Sequence, residues 1–152
     1  MKCLSCNGIA SFSNPNYCKD HFIEYFEEKV FNTIKKYDLL QPKDKVIVAV
    51  SGGKDSLTVL YLLKKFHKNV HALAIDEGIS GYREFTLDDL KKFCNCFKIN
   101  LKIVTFKDLI GNTLDNLIKI KKSAPCTTCG TFRRYLLNKH ASNYDKIATG
   151  HN

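Results

Sequence analysis

The stretch Lys45-Val46-Ile47-Val48-Ala49-Val50 constrains the fold more than any other part of the chain. A short run so rich in β-branched residues, without polar alternation, is what a parallel strand covered on both faces requires. It passes directly into Ser51-Gly52-Gly53-Lys54-Asp55-Ser56 and then into an apolar helical stretch reaching about His67. A buried strand, a glycine-bearing turn and a helix form the first half of a crossover unit, and such a unit commits the chain to an α/β architecture.

The remaining pattern extends that unit. Residues 70–75 and 101–106 read as two further strands, and residues 146–149 as a fourth. Between them, helices are expected over residues 86–97, near 113–122, and from the Cys126 region to about 143. Thr86 is expected as the N-cap of the first, with Asp89 completing a capping-box arrangement. Right-handed crossovers then give a Rossmann-like parallel sheet with helices on both faces and strand order 3-2-1-4. Ligands of such sheets sit beyond the strand carboxyl ends, where the order reverses. The loops after strands one and four, Ser51 to Ser56 and Gly150-His151-Asn152, converge there.

Ahead of this domain, residues 1–21 show no hydrophobic period. Residues 22–37 place Phe22, Phe26, Val30, Phe31, Ile34 and Tyr37 three or four apart, an amphipathic helix. The expected organisation is a metal-binding knuckle over 1–21, a connecting helix and linker over 22–42, and the α/β domain over 43–152. Cys3 and Cys6, then Cys18 and His21, form two ligand pairs separated by eleven residues. Two such pairs close a tetrahedral, structural Zn²⁺ site, and a segment this poor in core residues needs a metal to order it.

The 24 basic and 15 acidic residues leave a net charge of +9, which favours a polyanionic partner. The excess is concentrated. From Asn116 to Tyr144 there is no carboxylate, while Lys119, Lys121, Lys122, Arg133, Arg134 and Lys139 all fall in that span. These six are the candidate RNA phosphate contacts. No apolar run approaches the roughly eighteen residues of a membrane span, and the start of the chain lacks the apolar stretch of a secretory signal. No membrane partner is expected, and the location expected is the cytoplasm, so the seven cysteines read as metal or redox groups rather than disulfides.

Glycines in the Ser51 to Ser56 loop let main-chain amides approach an anion, and the helix that follows adds its unpaired N–H groups. Ser51 and Ser56 add hydroxyls, and Asp55 is expected to cap the helix or orient a metal ion. A Walker A loop is absent. Asp76-Glu77-Gly78-Ile79-Ser80-Gly81-Tyr82-Arg83 follows strand two and reads either as a ligand-proximal segment or as an exposed acidic turn. Cys126 and Cys129 open a helix that carries Arg133 and Arg134, a setting expected to lower a thiol pKa. Functional readings of this pair compete with a thioredoxin-like couple and with half of a zinc site. Cys94 and Cys96, and His67, His71 and His140, are given no role; Tyr82 and Tyr135 are read as structural.

The Ser-Gly-Gly-x-Asp-Ser loop after the first strand resembles the signature of the PP-loop ATPases, whose fold is of the adenine nucleotide alpha hydrolase type. The resemblance implies that Ser51 to Ser56 hold the pyrophosphate part of ATP, with Lys54 on a variable position of the signature, that Asp76 lies near the adenosine, and that Gly150, His151 and Asn152 begin a second motif. The chain stops inside that motif, so a fragment truncated before the last strand is expected. Joined to the amino-terminal knuckle, the domain is similar to the tRNA uridine 2-thiolation group. That likeness implies Mg²⁺, a tRNA substrate, and sulfur from a ubiquitin-like carrier protein or from sulfide. It also implies that Cys126 and Cys129 are catalytic and bind a 4Fe–4S cluster whose third ligand lies outside this sequence; a persulfide route would use the same two residues. A homodimer is kept as a candidate assembly. The rival readings are a lysidine-type PP-loop ligase and a non-catalytic zinc and RNA-binding module.

Overall fold

The computed structural model describes residues 1–120 and 125–150. Lys121, Lys122, His151 and Asn152, all expected site residues, therefore lie outside the described residues. The chain divides into two units, Met1–Gln41 and Pro42–Asn152.

In the first unit, two short antiparallel bridges, Lys2 with Ile9 and Phe12 with Tyr17, fold the leading residues into two small loops. Helix α1 follows over Lys19–Lys36, beginning three residues before the expected start at Phe22. Its N-cap is Cys18, so the second ligand pair is built into the helix start. The Phe22 ring on α1 stacks on Phe12 of the loops, centroids 3.9 Å apart, and Tyr25 meets Tyr17. These ring contacts explain why α1 belongs with the knuckle.

The second unit runs β1 (Val46–Ala49), α2 (Lys54–Phe66), β2 (Val70–Asp76), α3 (Arg83–Cys96), β3 (Asn100–Thr105), α4 (Phe106–Ile110), α5 (Leu114–Ile120), α6 (Pro125–Ala141) and β4 (Lys146–Thr149). All three strand pairings are parallel and the order is β3-β2-β1-β4. Alternation along the central strands divides the core. Ile47, Leu73, Ile75 and Val104 face Phe106, Leu114 and Leu136 of α4, α5 and α6. The alternate positions Val46, Val48, Ala72 and Ala74 are equally buried, on the face where Leu60, Leu63, Leu90 and Cys94 of α2 and α3 lie inside. Helices thus cover both faces, as the unbroken apolar character of β1 requires. β4 lies at the sheet edge, with Ile147 exposed.

Two local expectations are corrected. Helix α3 starts at Arg83 with Tyr82 as N-cap, so Thr86 is inside the first turn, where its hydroxyl donates to the Arg83 carbonyl at 3.0 Å. The capping box belongs instead to α4, where Thr105 and Asp108 satisfy each other's backbone N–H. Among the histidines, His67 Nε2 lies 2.7 Å from the Asp44 carbonyl and His71 meets the Tyr144 ring edge-on, which are packing roles.

Candidate functional site

At the carboxyl end of β1 the Ser51 to Ser56 turn is held by its own two serines. The Ser51 amide donates to Ser56 Oγ at 3.2 Å, the Gly53 amide donates to Ser51 Oγ at 3.3 Å, and Ser56 Oγ donates to the Gly53 carbonyl at 2.9 Å. Gly52 adopts φ +86°, and a Cβ there would meet the Thr86 carbonyl oxygen at 2.7 Å. Glycine is therefore demanded twice over, by dihedral and by space. Helix α2 begins with Gly53 as N-cap and no side-chain cap, which leaves its first-turn amides available to an anion. Asp55 thus does not cap the helix as expected; it sits in the first turn, exposed beside the equally exposed Lys54.

The chain leaving β4 presses on the same turn. A Cβ at Gly150 would lie 2.7 Å from the backbone N and Cα of Ser56. Between these loops, at the reversal of strand order, opens a cavity of about 300 Å³, lined among others by Ser51, Ser56, Gly150, Arg83, Arg133 and Arg134. Its floor is the ends of the two central strands, and its polar wall is cationic.

The turn after β2 supplies the carboxylate that organises that wall. Asp76 accepts the Gly78 amide at 2.9 Å within its own turn. Glu77, expected in a possible exposed acidic turn, is in fact 5% exposed and bridges two arginines. Its Oε2 is 3.0 Å from Arg83 Nε and its Oε1 is 3.3 Å from Arg133 Nε. Arg83 is itself buried and donates from Nη1 to the Ser51 carbonyl at 2.5 Å and from Nη2 to the Ile75 carbonyl. Its Nε makes no hydrogen bond, so the contact with Glu77 is chiefly one of charge. A buried acid between two buried or half-buried guanidinium groups leaves one net positive charge facing the cavity.

Helix α6 carries Cys126 and Cys129 on the stripe that continues through Gly130 and Arg133 toward the cavity, since residues three or four apart share a helical face. Cys126 is exposed, whereas Cys129 packs against the core cluster. The expected lowering of the thiol pKa is not found at Cys129. Burial pushes it up, the Glu77 charge adds to that, and Arg133 offsets it only in part. Arg133 and Arg134 line the cavity, Arg133 half-buried and Arg134 exposed; Lys119 and Lys139 are exposed as well.

In the first unit, the donor atoms of Cys3, Cys6, Cys18 and His21 all lie within 4.8 Å of one another. The Cys6 and Cys18 sulfurs are 3.9 Å apart, and His21 Nδ1 is 3.1 Å from Cys18 Sγ and 3.5 Å from Cys3 Sγ. A tetrahedron of thiolates about 2.3 Å from a central ion has edges of about 3.8 Å, so these residues fit a four-coordinate ion. Amides of Ser5 and Gly8 point at the Cys3 and Cys6 sulfurs, each 3.4 Å away. Cys3 is lowered to about 6: burial opposes the thiolate, but hydrogen bonds from Cys18, Ser5 and Cys6 outweigh it. The His21 ring is pushed up, first by its contact with Cys18.

A family model described as the PP-loop domain matches residues 22–152. The chain belongs to the PP-loop family. It is 42% identical to the tRNA-5-methyluridine(54) 2-sulfurtransferase of Pyrococcus horikoshii, over all of this chain and 50% of that protein. It is 40% identical to the cytoplasmic tRNA 2-thiolation protein 1 of Drosophila willistoni, over 89% of this chain and 42% of that one. Among solved structures it matches the U34-tRNA thiolase NcsA of Methanococcus maripaludis with its [4Fe-4S] cluster, TM-score 0.84 and 40% identity, over all of this chain and 54% of that one. The PP-loop chain thus spans about half the length of the curated relatives it matches. Among the described residues, no helix is long and apolar enough to cross a membrane.

For this PP-loop chain, sequence reasoning missed Glu77 and Arg83 as site residues. The available signal was a second carboxylate, directly after the Asp76 that ends a buried strand, with an arginine six residues on. Replacing Gly52 with alanine is expected to destabilise the fold by about 1–3 kcal/mol through forced left-handed geometry and the collision with Thr86. Urea unfolding of the variant measures this; an unchanged midpoint contradicts the geometry given for the loop.

Proposed function

We propose that this chain is the nucleotide-binding half of an ATP-dependent tRNA sulfurtransferase that makes 2-thiouridine in the cytoplasm. The observation that carries the reading is the cationic cavity between the Ser51 and Gly150 loops, bordered by the helix that presents Cys126 and Cys129. The relatives' names and the PP-loop match support the same reaction.

In this reading the amides at the start of α2, with the Ser51 and Ser56 hydroxyls, hold the β- and γ-phosphates of ATP. Asp76 is assigned to the adenosine side, and His151 and Asn152 to the second nucleotide motif. Arg133 and Arg134 spread the negative charge of the phosphates, and charge-assisted hydrogen bonds to them strengthen as the bond to the leaving group lengthens. The uridine 2-oxygen attacks the α-phosphorus; the new O–P bond forms as the bond to pyrophosphate breaks. A sulfur nucleophile, sulfide or the thiocarboxylate of a ubiquitin-like carrier, then adds at C2, and AMP departs with the original oxygen; where the thiocarboxylate is the donor, water then cleaves its acyl C–S bond, leaving the sulfur on C2 and releasing the carrier as a carboxylate. Mg²⁺ would neutralise the phosphates during the first step. Cys126 and Cys129 are suited to hold two positions of a 4Fe–4S cluster, with a third ligand outside these 152 residues. Such a cluster would supply an iron able to bind the incoming sulfur. Cys3, Cys6, Cys18 and His21 would hold Zn²⁺ in a closed structural site. Lys119, Lys121, Lys122 and Lys139 extend a cationic track for tRNA phosphates, and a homodimer is compatible with the exposed β4 edge.

Anaerobic incubation of the full-length protein with tRNA, ATP and a sulfur source is expected to give 2-thiouridine by nucleoside mass spectrometry, and Cys126→Ser is expected to lower its yield about a hundredfold or more, because one of the thiolates that would hold the cluster is removed. Absence of the product with wild-type protein contradicts the proposal. Elemental analysis of the purified chain is expected to find one zinc, lost in Cys18→Ser together with α1 helicity; full helicity without metal contradicts the assigned structural role.

A further inference from the structure

Glu77 presents a problem for an anion site, because a carboxylate paired with two of the arginines that line the cavity should weaken the positive field they offer a phosphate. Its surroundings answer it. Its backbone is fixed, since the Glu77 carbonyl accepts the Leu114 amide at 2.8 Å, and the next residue, Gly78, fits so closely that a Cβ there would strike Thr113 at 2.8 Å. Its side chain is fixed as well, because Arg83 sits on Oε2 and is itself tied to the Ser51 and Ile75 carbonyls at the ends of β1 and β2. What remains is Oε1, and it holds the Nε edge of Arg133 at 3.3 Å.

Arg133 is the more exposed member of this chain of contacts. Its side chain is 42% exposed, it lines the cavity, and Glu77 meets it through Nε. A guanidinium held at Nε leaves its two terminal nitrogens outside that contact, and although Arg133 also approaches the Cys129 thiol, their planar fork can engage a phosphate in a fixed direction. From Asn116 to Tyr144 the sequence offers no carboxylate that could take over from Glu77.

We infer that Glu77 is a positioning residue: braced by Arg83 against the phosphate loop, it aims the terminal nitrogens of Arg133 at the polyphosphate of the bound nucleotide. The inference rests on the nucleotide reading given above. It ties the loop after β1 to the helix bearing Cys126 and Cys129 through one buried carboxylate, so the two sites keep a set distance. It also reverses the sign expected from charge alone. Removing a negative group from an anion site should tighten binding, whereas removing a positioning group should weaken it.

Calorimetry of ATP with the 152-residue chain separates the two. Glu77→Gln is expected to weaken ATP binding about tenfold, Arg133→Gln by a similar factor, and the double variant to stay within about twofold of Arg133→Gln alone, because the two residues act as one unit. Unchanged or tighter binding by Glu77→Gln, or losses that multiply in the double variant, overturns the inference. Should circular dichroism show that Glu77→Gln does not fold, Arg133→Lys decides. Lysine keeps the charge but has no Nε edge to be held, so binding is expected to fall as far as in Arg133→Gln, and wild-type affinity overturns the inference. Wild-type chain that takes up no ATP removes the nucleotide reading and this inference together; wild-type uptake with undiminished Glu77→Gln removes this inference alone.

Discussion

Strand β1 is hydrogen-bonded on both sides, to β2 and to β4, with its residues packed between two layers of helices. A strand so enclosed has no freedom in where it ends, and the chain that leaves it must turn at one spot. The Ser51 to Ser56 loop is that turn, and the reversal of strand order beside it opens the cavity. Burial of a few aliphatic side chains thus fixes the loop that the proposed function assigns to phosphate, where the atoms offered are mostly backbone nitrogens. Such a site needs few specific side chains, because glycine at position 52 and close approach at Gly150 do most of the shaping.

The cationic wall is built by the opposite strategy. Arg83 and Glu77 are both buried, and burying either alone would be costly; each is tolerated because the other is present and because two strand-end carbonyls accept from Arg83. The same carboxylate then reaches Arg133 on α6. Backbone dipoles and a compensated ion cluster therefore border the same cavity. The amino-terminal unit follows a third route, in which four donors substitute for a hydrophobic core.

The sheet was legible because its signal is dense. The β-branched run at residues 46–50 and the apolar run at 70–75 leave little alternative, and with strand order 3-2-1-4 the two polar, glycine-containing loops meet at the switch point. That Cys3, Cys6, Cys18 and His21 cluster was legible from spacing alone. What escaped were features that depend on long-range pairing. Thr86 looked like a cap because it opens the apolar period, but Arg83 is drawn inside by Glu77, which starts α3 earlier. Cys129 looked acidified because Arg133 is four residues away on the same helix. Its burial against the core and the approach of Glu77 come from elements distant in sequence, and they win. The Thr105 and Asp108 cap was visible in the sequence and passed over, because the strand pattern running up to Phe106 masked it.

The account stands on backbone amides at the head of α2 receiving phosphate. Titrating isotope-labelled chain with inorganic pyrophosphate and following amide resonances tests this directly. The account predicts that the largest, saturable shifts fall on Gly52, Gly53, Asp55, Ser56 and Gly150. Shifts confined to the lysines of the basic segment, or none at all, would contradict it.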